Sequence, residues 1–293
     1  MPVSPFRLPD GRSLDLSVSG PEDGVPFVLH HGTPGSYHVP RDLERAVLAR
    51  GMRMVAWSRP GYGGSTRHPG RSVVDVVADT RAVLEGLGAD RCVVGGRSGG
   101  GPHALACAAR LEQAASVLVI AGVAPFEAEG LDFLAGMGQD NLDEFSAAVE
   151  GEDALRPYLD AQREALADVQ PEDIIAAMSS LLPEADRKVL TGGLAAELAD
   201  SFHEAVRVGV DGWLDDDLAF VAPWGFSLTE ITTPVAIWQG SADLMVPYAH
   251  GGWLAAHVPN ADVHLIEGEG HLSVAYGDED TAVILDALTA ALA

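Results

Sequence analysis

Two periods of apolar spacing alternate along this chain, and each switch between them marks an element boundary. FRLP, the turn Asp10-Gly11 and SLDLSVSG, with apolar residues at alternate positions, predict a hairpin of two short strands. PFVLHHG is mostly apolar and ends in turn residues, which suits a strand buried on both faces. RDLERAVLARG then reads as a helix, MRMVAWS as a strand, SVVDVVADTRAVLEGLG as a helix closed by Gly88 and RCVVGG as a strand. The helix GPHALACAARL and the strand SVLVIAGVAPF follow. From about residue 127 to 225 the strand pattern is missing. LDEFSAAVE, ALRPYLDAQREALADV, PEDIIAAMSSLL, PEADRKVL and GLAAELADSFHEAVRVG have helical spacing, with Pro171 and Pro183 at first-turn positions. TPVAIWQG, PYAHGGWLAAHV, ADVHLIEG and DEDTAVILDALTAAL then restore the order strand, helix, strand, helix. Alternation of this kind predicts an α/β fold whose sheet is mostly parallel, with helices on both faces. Residues 1–126 and 226–293 form its core, and 127–225 a helical insertion.

Composition narrows the function. No apolar run is long enough to span a bilayer, and MPVSPFRLPDGRS lacks the basic and apolar regions of a secretory signal, so a cytoplasmic protein is expected. Cys92 and Cys107, on a buried strand and the helix after it, read as small core residues in a reducing compartment. Eighteen basic against 43 acidic side chains leave a net charge of −25, which argues against nucleic acid and anionic membranes as partners. A small-molecule substrate is the expected partner, with oligomeric state left open.

The densest chemical signal is DRCVVGGRSGGGPHALACAAR, residues 90 to 110, where glycines surround one Ser-Arg pair between a strand and an Ala-rich helix. Such a cluster marks backbone that bends sharply or approaches something closely. A phosphate-binding P-loop would need a Lys followed by Ser or Thr, and none is present. Gly99, Gly101 and Ala104 fit a dinucleotide loop, but this is not the first βα unit and no acid ends a second strand about 20 residues on. Gly96-Arg97-Ser98-Gly99-Gly100 fits a nucleophile elbow, where a tight strand-to-helix turn projects the serine above the sheet. Gly96 and Gly100 remove Cβ atoms where strand and helix cross.

A serine hydroxyl needs a base, and the base an orienting acid. Asp243 in QGSADLMVP and His271 in EGEGHLS each follow a strand end, in the order acid then histidine. Singly, Asp243 also fits a turn or N-cap residue and His271 a helix-start or surface residue; jointly, in that order, they favour catalysis. Backbone N–H groups of Gly99 and Thr33 are the expected oxyanion donors, with His31, Gly32 and Pro34 shaping the second loop.

HGTPGS, WSRPGYGGS, GGRSGGGP, GSADLMVP and GEGHLS occur in the order seen in the α/β-hydrolase superfamily, which the chain resembles over nearly its whole length. The resemblance implies an eight-stranded, mostly parallel sheet with a helical cap inserted after the sixth strand. It also implies a Ser98–His271–Asp243 triad; no cofactor and no metal are expected. Ser58 stands where many relatives carry Asp, a residue read as structural. Serine at the elbow argues against carboxylate-nucleophile dehalogenases and epoxide hydrolases. HGTPGS and GGRSGGG depart from proline iminopeptidase patterns, and Leu272 replaces the aromatic that often follows the histidine of carbon–carbon bond hydrolases.

The expected activity is therefore hydrolysis of a small carboxylic ester through an acyl-enzyme. A serine aminopeptidase or amidase, a cofactor-free perhydrolase and a non-catalytic binding protein are the alternatives. His30 reads as a packed strand residue, His103 and His250 as minor candidates for substrate contact, Arg97 as structural and Glu127 as a weaker substitute acid. Asp215-Asp216-Asp217 reads as a solvated face, unless a cap carboxylate holds a substrate ammonium, which would restore the aminopeptidase reading. Trp213, Phe220, Trp224 and Phe226 read as core aromatics that could line the cleft.

Overall fold

Strict alternation of side chains on the inner strands builds two apolar faces on one sheet. The computed structural model describes residues 3–275, 278–290 and 292. Its strands are β1 Val3–Arg7, β2 Ser13–Ser19, β3 Pro26–His30, β4 Arg53–Trp57, β5 Cys92–Arg97, β6 Ala114–Ile120, β7 Val235–Gly240 and β8 Asp262–Ile266. They form one eight-stranded sheet in the order β1-β2-β4-β3-β5-β6-β7-β8. The β1–β2 and β2–β4 pairs are antiparallel and the rest parallel. The sheet is thus mostly parallel, as the apolar pattern predicts, and eight-stranded, as the resemblance implies.

Phe27, Met54, Val93, Leu118 and Trp238 face one side of the sheet, where Val47 of α1 (Arg41–Ala49) and Ile284, Leu285 and Leu288 of α11 (Asp278–Ala290) cover them. Their immediate neighbours Val28, Val55, Val94, Val117 and Ile237 face the other side. There α2 (Val76–Gly86), α3 (Gly100–Arg110) and α10 (Tyr248–His257) pack. The period of two therefore buries every inner strand twice, as the uninterrupted apolar runs require. Cys92 and Cys107 are free buried thiols in this core, and burial pushes Cys107 up to about 12, so neither is a ready nucleophile.

Between β6 and β7 the chain leaves the sheet and forms α4 (Gln139–Glu150), α5 (Glu152–Leu166), α6 (Ile174–Ala177), α7 (Glu184–Val189), α8 (Gly192–Val206) and α9 (Asp211–Phe220). Helix α9 is the element that the apolar spacing does not reveal, because three consecutive aspartates break its stripe. No helix among the described residues is long and apolar enough to cross a membrane.

Candidate active site

Parallel strands carry their following loops to one rim of the sheet, so the loops after β3, β5, β7 and β8 converge there. Ser98 occupies the turn between β5 and α3 with φ of 55°, a left-handed conformation costly for a residue with a Cβ. Two bonds hold it there: its N–H donates to Ile120 O at 2.9 Å, and its carbonyl accepts Gly101 N–H at 2.8 Å. The flanking glycines are required by contact. A Cβ on Gly96 would strike Gly100 O, and one on Gly100 would strike His30 O.

Behind the next loop, His271 Nδ1 lies 2.8 Å from Asp243 Oδ2, both side chains buried. Asp243 Oδ1 accepts Met245 N–H at 2.8 Å and Val246 N–H at 2.9 Å, while Oδ2 also accepts Gln239 Nε2–H at 3.1 Å. Four donors on an acceptor-only group make Nδ1 of His271 the protonated nitrogen, leaving the Nε2 lone pair available as a base. Arg97, beside Ser98, donates from Nη2 to His271 O at 2.6 Å. Its structural reading therefore gains a definite role: it ties the elbow to the histidine loop. Glu127 is exposed, and it is Asp243 that engages His271.

A residue that the sequence reading passed over holds the other side of that loop. Asp186 of α7 is fully buried and accepts His271 N–H on Oδ2 at 2.9 Å, with Leu272 N–H and Ser273 N–H on Oδ1 at 2.8 and 2.9 Å. Gly270 is glycine because a Cβ there would collide with this carboxylate. Asp186→Ala should therefore lower unfolding free energy by about 2–4 kcal/mol in chemical denaturation, since three buried N–H donors lose a charged acceptor.

The β3 loop is organised through Asp216. The run Asp215-Asp216-Asp217 is not a solvated face; all three are buried. Successive residues on a helix point about 100° apart, so α9 sends each carboxylate into a different environment. Asp215 pairs with Arg67 at 2.8 Å. Asp216 accepts Arg59 and Arg71 at 2.6 Å each, Tyr62 Oη–H at 2.7 Å and Thr33 Oγ1–H at 2.9 Å. Burial alone would push Asp216 up, but the two guanidiniums outweigh it and hold the carboxyl well below its usual range. Arg59 also donates to His31 O and to Gly32 O, the latter at 3.0 Å. His31 Nε2 accepts Arg59 N–H at 3.0 Å, so Nδ1 carries the proton donated to Gly32 O at 2.6 Å. This frame sets Gly32 against the serine: a Cβ on Gly32 would lie 3.5 Å from Ser98 Cβ, and one on Gly99 would meet Thr33 Oγ1.

His30 and Ser58, read as structural, and the minor candidates His103 and His250 all sit in contacts within the protein. His30 packs edge-on against Trp57. His250 accepts Ala124 N–H at 3.2 Å and meets Phe133 O at 2.9 Å, both ring nitrogens engaged by backbone. Burial, reinforced by Arg59, pushes His103 down to about 4, so its 3.4 Å approach to Asp216 is a neutral contact. Ser58 is buried and accepts Tyr37 N–H at 3.2 Å.

A cavity of about 120 Å³ meets Ser98, Gly99 and Thr33 on its core side and Glu144, Tyr158 and Asp217 on the insertion side. Trp213 and Phe220 line it too, whereas Trp224 and Phe226 line a separate recess beside Trp253.

With this geometry in place, residues 25–278 match the alpha/beta hydrolase fold family, and the chain belongs to it. It is 27% identical over 266 residues to a non-heme chloroperoxidase of Streptomyces lividans, covering 89% of this chain and 90% of that one. A pimeloyl-[acyl-carrier protein] methyl ester esterase of Aromatoleum aromaticum is 26% identical over 246 residues, covering 82% and 88%. The solved structure of a bromoperoxidase from Bacillus anthracis superposes with a TM-score of 0.72 at 19% identity over 99% of this chain and 100% of that one. These relatives place the chain among enzymes of this fold.

Proposed function

We propose that the protein is a serine hydrolase that cleaves a small carboxylic ester through an acyl-enzyme, without a cofactor and in the cytoplasm. The observation that carries this reading is the buried Asp243–His271 hydrogen bond at the same sheet rim as a strained serine. His271 Nε2 takes the Ser98 proton as Oγ attacks the ester carbonyl. Backbone N–H groups of Gly99 and Thr33 receive the oxyanion, with the N-terminus of α3 adding favourable field. As the tetrahedral species collapses, the carbon–oxygen bond to the alcohol breaks and His271 returns the proton to the leaving oxygen. Water, deprotonated by the same nitrogen, then attacks the acyl carbon, and Ser98 departs with its proton restored. Asp243 fixes the tautomer and stabilises the imidazolium in both halves. Residues 127–225 act as a cap over the acyl-enzyme, roofing the cavity that Ser98 lines.

A fluorophosphonate tests this directly. Peptide mapping should find the adduct on Ser98, with labelling lost in His271→Ala. Folded protein that stays unlabelled would overturn the reading in favour of a binding protein. The relative named as a chloroperoxidase supports a second reading on the same triad, in which hydrogen peroxide replaces water as the acyl acceptor. Peracetate formation from acetate and peroxide separates the two.

A further inference from the structure

Two acids in the cavity lack the counter-charges that the neighbouring aspartates have. Asp217 is fully buried and lines the cavity, and neither of its oxygens meets a donor among the described residues. Its neighbour is the carboxyl of Glu144 on α4, close enough for the two to share a proton when one is protonated. Glu144 is held in place by Trp213 Nε1–H, which donates to Oε1 at 2.8 Å. Asp215 and Asp216, two and one positions away on the same helix, are each paired with arginine. An unpartnered buried carboxylate is costly in a folded protein, so a chain that supplies arginines to both neighbours and none to this one leaves an open position for a cation. The surroundings agree: the aromatic side chains of Tyr158 and Trp213 line the same space, and aromatic neighbours favour an ammonium over a neutral group.

We propose that Glu144 and Asp217 form a subsite for the cationic amino group of the substrate, so that the preferred acyl donor is an amine-bearing ester or amide. This rests on Ser98 being the nucleophile at the same cavity. An ammonium seated there accepts the place of the shared proton, donating one N–H to each carboxylate. The groups facing the pair are Asp140 on α4, Tyr158 on α5, and Asp216 with Arg71 behind Asp217. Burial pushes Glu144 up to about 7, with Trp213 and Asp217 opposing and Asp140 adding to it; burial and then Glu144 push Asp217 well above its usual range. The pair therefore gains negative charge, and affinity for a cation, as pH rises.

Calorimetric titration with n-butylammonium chloride and with 1-butanol reads the subsite without needing turnover. At about pH 8.5 the unmodified protein should bind the ammonium at least about tenfold tighter than the alcohol, as expected for charge-assisted bonds. At about pH 5.5 that preference should fall away although the alkylammonium remains charged. Glu144→Gln combined with Asp217→Asn should abolish it at both values, and Glu144→Gln alone should weaken it. Equal binding of the two probes at the higher pH, or a preference that survives protonation of the pair, overturns the proposal. The pH arm uses unmodified protein, so a variant that fails to fold does not remove the test. In parallel, 4-nitrobenzyl esters of β-alanine and 4-aminobutanoate should be cleaved with higher kcat/KM than their carbon isosteres butanoate and pentanoate. Ammonium binding without cleavage of any ester would sink the hydrolase reading alone, and ester cleavage without ammonium preference the subsite alone.

Discussion

Replacing Ser98 with alanine should lower ester kcat by about 10⁴-fold or more while leaving KM nearly unchanged, because the lost hydroxyl acts only as the bond forms. His271→Ala should cost a similar factor, and the double variant little more than either single one. That non-additivity follows from the two groups working as a unit: a base with no hydroxyl to deprotonate contributes nothing, and the reverse also holds. Asp243→Asn should fall by roughly 10⁴-fold through a different route. The amide can donate to Nδ1, which moves the imidazole proton to Nε2 and removes the lone pair from the side that needs it. Steady-state kinetics on a nitrophenyl ester measures all four. Additive losses, or near-normal turnover in S98A, would remove the triad.

The second large effect lies away from the reacting atoms. Asp216→Ala should destabilise the fold by about 3–5 kcal/mol, because Arg59 and Arg71 would remain dry without their shared carboxylate. For a chain of this length that is a fall in Tm on the order of 10 °C. Turnover should drop as well, since Arg59 spans Asp216 and the carbonyls of His31 and Gly32. The pH dependence has a definite sign. Asp216 is held well below its usual range, so its contribution is complete above the unfolded carboxyl value near 4 and is lost only as pH falls through the lower folded one. Thermal unfolding of the parent and variant across acidic pH should converge at the low end.

The strands and the serine turn were legible in the sequence because their causes are local. A period of two with both faces apolar requires a buried strand, and Gly96 and Gly100 lie within two residues of the serine they serve. Asp243 and His271 could be placed because each directly follows a strand end. The carboxylates of the insertion carry no such mark. In one dimension Asp216, clamped by two guanidiniums, and Asp217, facing the cavity with none, are adjacent identical residues in what reads as a hydrophilic run. Their difference arises only when α9 docks, and its cause lies in Arg59, Arg71 and Glu144, which are distant in the chain. Asp186 was hidden likewise inside PEADRKVL, which reads only as a short amphipathic helix. One local hint existed: Gly270, beside a histidine in a loop, has no turn that needs it, and its missing Cβ makes room for Asp186.

The docking of α7 and α9 onto the sheet rim also limits how this enzyme can be redesigned. Transplanting the insertion of another relative would remove Asp186 and Asp216 together, releasing the loop of His271 and stranding Arg59 and Arg71. Changes in selectivity are therefore best sought in the wall contributed by α4 and α5, where side chains can be exchanged without dismantling the frame beneath.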